Sequence, residues 1–412
     1  MSENRLSLKA NADLDLIAKE VPSQRVLELV VHAPQMVENK NRPNLNLALI
    51  IDRSGSMGGD KLKYVKEAAF HVLDLLQEQD QVSIVCYDDQ VDTLASNVKV
   101  TSAARQNLRN LIKGLNPGGQ TNLSDGWLRG CEHVATAIHA ENLSRVLLLT
   151  DGLANVGITD MEELGHHARE IHSRGVSTST FGVGEGYNEH LLEQMANQGG
   201  GNFHFIDSPM LIPQIFIQEL KDLSSVTARD VEVLIEIPPH VDAHVMAGWK
   251  QTIEENKLRI SIGDLVSNQE REVYIKLLFP PQNQDTAIKF GAKVICKDEG
   301  GQVMEDQVEI SFQYVEKTMM AAAPLKEEVM QRFSVVEVAD SANEALKLER
   351  KGEFQKAGNL LAEAVIASAP YMASDKLEQY QGLSRRMMRG LDERDRKSSH
   401  YTQYTDKQRR NR

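Results

Sequence analysis

Cysteine is scarce in this chain: three in 412 residues, at Cys86, Cys131 and Cys296. An odd, scattered set builds neither a disulfide framework nor a zinc site, and it fits a reducing compartment. Buried small hydrophobes are the expected role of all three. Apolar runs are short, and none approaches the roughly 18–20 residues a bilayer-spanning helix needs. No apolar signal segment follows Met1-Ser2-Glu3-Asn4-Arg5. These absences lead us to expect a cytoplasmic protein without a membrane partner. No Gly-x-x-x-x-Gly-Lys-Ser/Thr is present, so the chain has no phosphate-binding loop of that type.

What is present is ordinary for a globular protein, with 41% hydrophobic and 25% charged residues. The length accommodates two or three domains. The net charge of −13 is unevenly spread. Residues 1–316 carry 28 Lys+Arg against 45 Asp+Glu, whereas residues 317–412 carry 18 against 14. An acidic body repels phosphates, so no nucleic-acid partner is expected. The basic segment from Arg385 onward is read as a solvated helix face.

Hydrophobic periodicity divides the chain. Strand-like runs near 5–10 and 25–33 precede a polar boundary at Glu38–Pro43. From residue 44 to 224, apolar strands alternate with helical patterns, which predicts a doubly wound, Rossmann-like α/β domain with a parallel sheet. Between 225 and 316 the period changes to two, as in Val231/Val233/Ile235 and Val273/Ile275/Leu277, with Pro-Pro and Gly-Gly turns. That pattern predicts an antiparallel β-sandwich, completed by the strands of residues 1–43. Residues 317–397 read as helical, including a hairpin turning at Gly352. Residues 398–412 are polar and are expected to be disordered.

Three segments carry chemistry. Leu45–Ile50 is a buried strand that runs straight into Asp52-Arg53-Ser54-Gly55-Ser56. Asn116-Pro117-Gly118-Gly119-Gln120-Thr121-Asn122 precedes a helix, and Thr150-Asp151-Gly152 ends another strand. Taken alone, Asp-x-Ser-x-Ser is also an ordinary turn and cap sequence. Taken together, the segments place hydroxyls and carboxylates, with no His or Cys, at strand ends where ligands of such sheets bind. Asp52, Ser54, Ser56, Thr121 and Asp151 are therefore candidate ligands of a hard divalent cation: Mg²⁺, or Mn²⁺ or Ca²⁺. Five side chains cannot all bind directly and leave room for a partner, so one or both aspartates are expected to act through water.

These three segments resemble, in order, the three parts of the metal-ion-dependent adhesion site of von Willebrand factor A domains. The resemblance covers about 44–223. Gly118–Leu123, Asp151–Gly157 and Phe181-Gly182-Val183-Gly184 are similar to the bacterial branch related to calcium-activated chloride channel and inter-alpha-trypsin-inhibitor heavy-chain proteins. The resemblance implies direct metal ligation by Ser54, Ser56 and Thr121 and largely water-mediated roles for Asp52 and Asp151. It also implies a partner Asp or Glu completing the shell.

The chain is accordingly expected to be a non-enzymatic, metal-dependent protein-interaction module, an intracellular scaffold or adaptor. A separate ATPase or another copy of itself is a candidate partner; the second case makes the chain a self-assembling structural subunit. A metal-dependent hydrolase is less favoured, because an aspartyl-phosphate enzyme wants a carboxylate where Ser54 stands. Gly182-x-Gly184-x-Gly186 lacks nucleotide-binding spacing; His166, His167 and His172 lack the i, i+4 zinc spacing on a helix, and His240 and His244 lie in a strand-rich region.

Overall fold

The structure is a computed structural model that describes residues 5–36, 42–139, 142–282, 286–298 and 300–408. In chain order the first elements are β1 (Ser7–Ala12), β2 (Leu16–Ala18) and β3 (Ser23–His32). Residues 37–41, which include most of the expected polar boundary, lie outside the described residues. There follow β4 (Asn44–Asp52), α1 (Asp60–Leu75), β5 (Gln81–Tyr87), β6 (Val91–Lys99), α2 (Ser102–Lys113) and α3 (Leu123–Ala135). Next come β7 (Asn142–Thr150), α4 (Met161–Ser173), β8 (Ser177–Val183), α5 (Glu189–Gln198), β9 (Gly200–Ile206) and α6 (Ile212–Ser224). Then the period-two region gives β10 (Val226–Glu236), β11 (Asp242–Val245), β12 (Lys250–Glu254), β13 (Lys257–Val266), β14 (Glu270–Phe279), β15 (Ala287–Lys297) and β16 (Val303–Val315). Five helices close the chain: α7 (Lys317–Ala322), α8 (Glu327–Arg350), α9 (Phe354–Ser368), α10 (Ser374–Met387) and α11 (Glu393–Gln408). The chain divides into two compact units, one built on residues 36–227 and the other on 1–35 together with 228–297 and 303–412.

The first unit is a doubly wound α/β domain. Its six strands are ordered β6-β5-β4-β7-β8-β9, all parallel except the antiparallel β5–β6 pair. Successive side chains of β4 point to opposite faces, yet Leu45 through Ile51 are all buried, apolar and polar alike. The sheet is thus covered on both sides, which is why β4 reads as a continuous apolar run rather than an alternation. Helix α3 packs on β4, β5 and β7, and its Gly130 faces the side chains of Ile50 and Ala48. From β4 the chain moves to β5 and β6 on one side, then returns to β7 on the other. The carboxyl ends of β4 and β7 therefore form a topological switch point, where loops diverge and leave a crevice. Helix α3 stops at Ala135. A 3₁₀ turn at Pro209–Leu211 precedes α6.

The second unit holds a four-stranded sheet, β1-β3-β14-β11, and a six-stranded sheet, β12-β13-β10-β15-β16-β2. The β1–β3, β3–β14, β11–β14, β12–β13, β10–β15 and β15–β16 pairs are antiparallel, and β16 pairs with β2 in parallel. Alternate residues such as Val231, Val233 and Ile235 enter one shared core with Leu27, Leu29 and Val31. Val329, Phe333 and Val336 of α8 join that same core, so the helical region begins as part of the sandwich's packing. Its later half forms a second core with α9 and α10 through Ala342, Leu361 and Leu383.

One expectation fails outright. Residues 398–408 are not a disordered tail: α11 runs to Gln408, with Lys397, His400, Gln403 and Tyr404 buried. Residues 409–412 lie outside the described residues. The basic end is a solvated face only in part: Arg385, Arg386, Arg389 and Arg394 are exposed, whereas Arg396 makes a two-pronged ion pair with Glu349 and Lys407 pairs with Asp340. The three cysteines are buried, and none is in a disulfide.

A candidate metal centre at the switch point

The crevice is built from three loops. The first leaves β4 at Asp52, makes a 3₁₀ turn over Gly55–Met57 anchored by the fully buried Met57, and enters α1. The second joins α2 to α3 and ends at Asn122, whose side chain caps α3 by accepting from the Asp125 N–H. The third leaves β7 at Thr150-Asp151-Gly152 and ends at Asp160, which caps α4.

Backbone hydrogen bonds fasten these loops together. Gly55 N–H donates to the Gly119 carbonyl (2.9 Å) and Gly118 N–H to the Arg53 carbonyl (2.7 Å). Thr121 N–H donates to Asn155 Oδ1 (2.9 Å), and the Asn155 and Val156 N–H groups donate back to the Thr121 carbonyl (3.2 and 3.3 Å). Asp88, at the end of β5, accepts from Arg53 Nε (3.2 Å) and, through its carbonyl, from Asn122 N–H (2.8 Å). A Cβ at Gly118 would collide with the buried Asp88 carboxylate, which Arg53 holds, and one at Gly119 would require the exposed Asp89 carboxylate to move.

Within this frame the five candidate residues converge. Asp52 is wholly buried, its Oδ1 accepting from Ser54 N–H (2.8 Å) and its Oδ2 from Thr150 Oγ1 (2.6 Å). Burial pushes its carboxyl up to about 6, against the hydrogen bonds from Thr150 and Ser54, and the charge of Asp151 adds to the rise. Ser54 Oγ lies 3.2 Å from Ser56 Oγ, which donates to Asp151 Oδ1 (2.7 Å). Lys61, in the first turn of α1, forms an ion pair with the other oxygen, Asp151 Oδ2. Thr121 enters from the second loop. A Cβ placed on Gly152 would stand 3.3 Å from Thr121 Oγ1 and 3.6 Å from Ser56 Oγ, so both hydroxyls face the same spot.

That spot suits a hard divalent cation. Its lining is hydroxyl and carboxylate oxygen, with no sulfur or imidazole, and glycine at 152 keeps the space between Thr121 and Ser56 open. Lys61, Asp88 and Asn155 belong to the site's machinery but were not singled out from the sequence. Lys61 lies within a helical pattern where a lysine looks solvated, although a cation in the first turn opposes the helix dipole. Asp88 and Asn155 act on loops more than thirty residues away in sequence, which no local pattern signals.

Fold and loops together define a Rossmann-like α/β domain with an oxygen-lined crevice at its sheet's switch point. Residues 46–218 match the family model of the von Willebrand factor type A domain. Among curated relatives, the Synechocystis sp. protein sll0103 is 28% identical over 287 residues, 66% of this chain and 67% of that protein. Escherichia coli YfbK is 29% identical over 204 residues, covering 49% of this chain and 35% of YfbK. Human inter-alpha-trypsin inhibitor heavy chain H3 is 34% identical over 162 residues, 38% of this chain and 18% of that protein. The chain thus spans about a third of YfbK and less than a fifth of the heavy chain. Two solved structures share the fold over nearly the whole chain. A von Willebrand factor type A protein from Catenulispora acidiphila has a TM-score of 0.76 at 16% identity, covering 97% of this chain and 96% of its own. The ArnB paralog VWA2 from Sulfolobus acidocaldarius has a TM-score of 0.65 at 17% identity, with 98% and 99% covered. Among the described residues, no helix is long and apolar enough to cross a membrane.

Proposed function

We propose that this protein is a metal-dependent protein-interaction module that captures an Asp or Glu carboxylate of a partner. Ser54, Ser56 and Thr121 would hold a Mg²⁺-type ion directly, with Asp52 and Asp151 supporting it largely through water. When bound, the ion supplies a positive charge only partly neutralised by its oxygen ligands, which attracts an incoming acid even from an acidic protein. The convergence of Ser56 and Thr121 on the open face of Gly152 carries this reading.

A hydrolase is disfavoured by Asp52 itself. As a nucleophile it would need an exposed, reactive oxygen, yet it is wholly buried with both oxygens accepting hydrogen bonds. The module is best placed in a cytoplasmic scaffold or adaptor, working beside a separate ATPase or with another copy of itself. Affinity capture from source lysate in Mg²⁺, comparing the natural chain with Asp52→Ala/Ser54→Ala, tests the module. Partners lost from the variant and from EDTA-treated protein support it; identical partner lists overturn it. Sizing with and without EDTA separates the two settings, because self-assembly predicts a mass that falls on chelation.

A further inference from the structure

Lys61 makes the contact within the crevice that the ligand set does not explain. It is the second residue of α1, where the helix dipole disfavours a cation, and its side chain is only one-third exposed. Its ammonium nevertheless reaches Asp151 Oδ2, while the opposite oxygen of the same fully buried carboxylate accepts from Ser56. Asp151 thus has one oxygen committed to an ammonium and the other to a hydroxyl of the candidate ligand set. Asp52, the other carboxylate of the candidate ligand set, has no lysine or arginine on either oxygen among the described residues; Thr150 and Ser54 satisfy it.

We infer that Lys61 is a built-in competitor that sets the affinity of the cation site. This rests on the proposed cation site. An ammonium held on Asp151 and a divalent ion among Ser54, Ser56 and Thr121 draw on the same carboxylate and repel each other at short range. Loading the ion requires the Lys61 side chain to leave Asp151. Its four-carbon stem, rooted at the exposed start of α1, allows that without moving the backbone. The ammonium therefore raises the free-cation concentration at which the site fills. Below that threshold it neutralises the acid that would otherwise stand buried beside Ser56.

Calorimetric titration of the full chain with Mg²⁺ and with Mn²⁺ tests this, comparing the natural protein with Lys61→Met and Lys61→Gln. Lys63→Met serves as a control that removes the same charge from an exposed position two residues along the helix. The expected result is roughly tenfold or more tighter binding in both Lys61 variants and a change of no more than about twofold in the control. Unchanged or weaker binding in the Lys61 variants overturns the inference and leaves the cation site standing. No binding by any of the proteins at millimolar ion overturns the site and the inference together. A second measurement needs no variant: acetylation of Lys61 in the natural protein, followed by mass spectrometry with Mg²⁺ and with EDTA. Faster labelling of Lys61 in Mg²⁺, with Lys63 unchanged, supports displacement; equal labelling contradicts it.

Discussion

Buried carboxylates occur in both units, and the contrast between them separates a structural centre from a binding one. In the sandwich, Glu28 accepts from Asn11 and Tyr274 (2.9 Å each) and from both prongs of Arg332 (2.6 Å each), which ties α8 to the β1-β3-β14 sheet. The Glu28 hydrogen bond and charge hold the Arg332 guanidinium firmly charged against the cost of burial. Every partner there belongs to a rigid element and the geometry is bidentate, so the centre is closed. At the switch point, Asp52 and Asp151 are answered by the Ser54 N–H, by the Thr150 and Ser56 hydroxyls, which still have lone pairs to offer, and by one long lysine that can move away. A saturated carboxylate locks packing, whereas one capped by hydroxyls and a flexible ammonium stays available.

The contrast is broken most directly at Glu28. Glu28→Ala leaves Arg332 and Tyr274 facing a buried gap and is expected to cost about 3–5 kcal/mol. Urea unfolding checks it, and Mg²⁺ affinity measured on the folded protein is expected to stay the same. Glu219 of α6 gives the next largest effect. Burial pushes its carboxyl up, but the hydrogen bond and charge of His204, the charge of Arg145 and the Ser179 hydroxyl outweigh burial and hold it down to about 2. A folded-state value below the ordinary 4.5 means the contribution is complete above about pH 4.5 and drains away as the pH falls toward 2. The natural protein is expected to lose about 3 kcal/mol from this group across that window, a slope that Glu219→Gln flattens in acid unfolding curves.

Gly152→Ala sharpens the comparison from the other side. The new methyl would crowd Thr121 Oγ1 and Ser56 Oγ, so we expect cation affinity to fall roughly 10–100-fold with stability changed by less than about 1 kcal/mol. Calorimetry and thermal melts in EDTA read the two quantities separately. Smallest is Asp160→Ala, which removes the oxygen that accepts from Glu163 N–H (2.8 Å) at the start of α4. A loss of about 1 kcal/mol in thermal unfolding, with Mg²⁺ affinity intact, is expected of a carboxylate that only caps a helix.

The α/β unit was legible because each of its central strands is buried on both faces and announces itself as an apolar run. Sandwich strands such as β10, β14 and β15 were legible through strict alternation. The short strands β2, β11 and β12 were not: three to five residues, most of them half-exposed, give too little pattern. Helix α11 escaped for a different reason. Much of its buried face is polar, satisfied by pairs such as Asp406 with Lys376 (2.7 Å) and with the Tyr380 hydroxyl (2.9 Å). Composition cannot distinguish such a face from a solvated tail, because its partners lie far upstream, as far as Asp340 for Lys407. At the candidate site, the ligands were legible as residue types leaving strand ends, whereas the supports were not. Asp88 and Asn155 show their roles only when the loops meet.

A shortened version of this protein would bear out how much α11 contributes. Ending the chain at Lys397, where its makeup suggests a stop, deletes Asp406 and strands the ammonium of Lys376 and the inward-facing phenol of Tyr380. It also takes Lys407 from Asp340, whose carboxylate receives the Ala247 N–H on the sandwich's own turn. Trimming a seemingly dispensable end would thus loosen contacts in α8, in α10 and at a β-turn together, and the product would be prone to clump rather than to crystallise more readily.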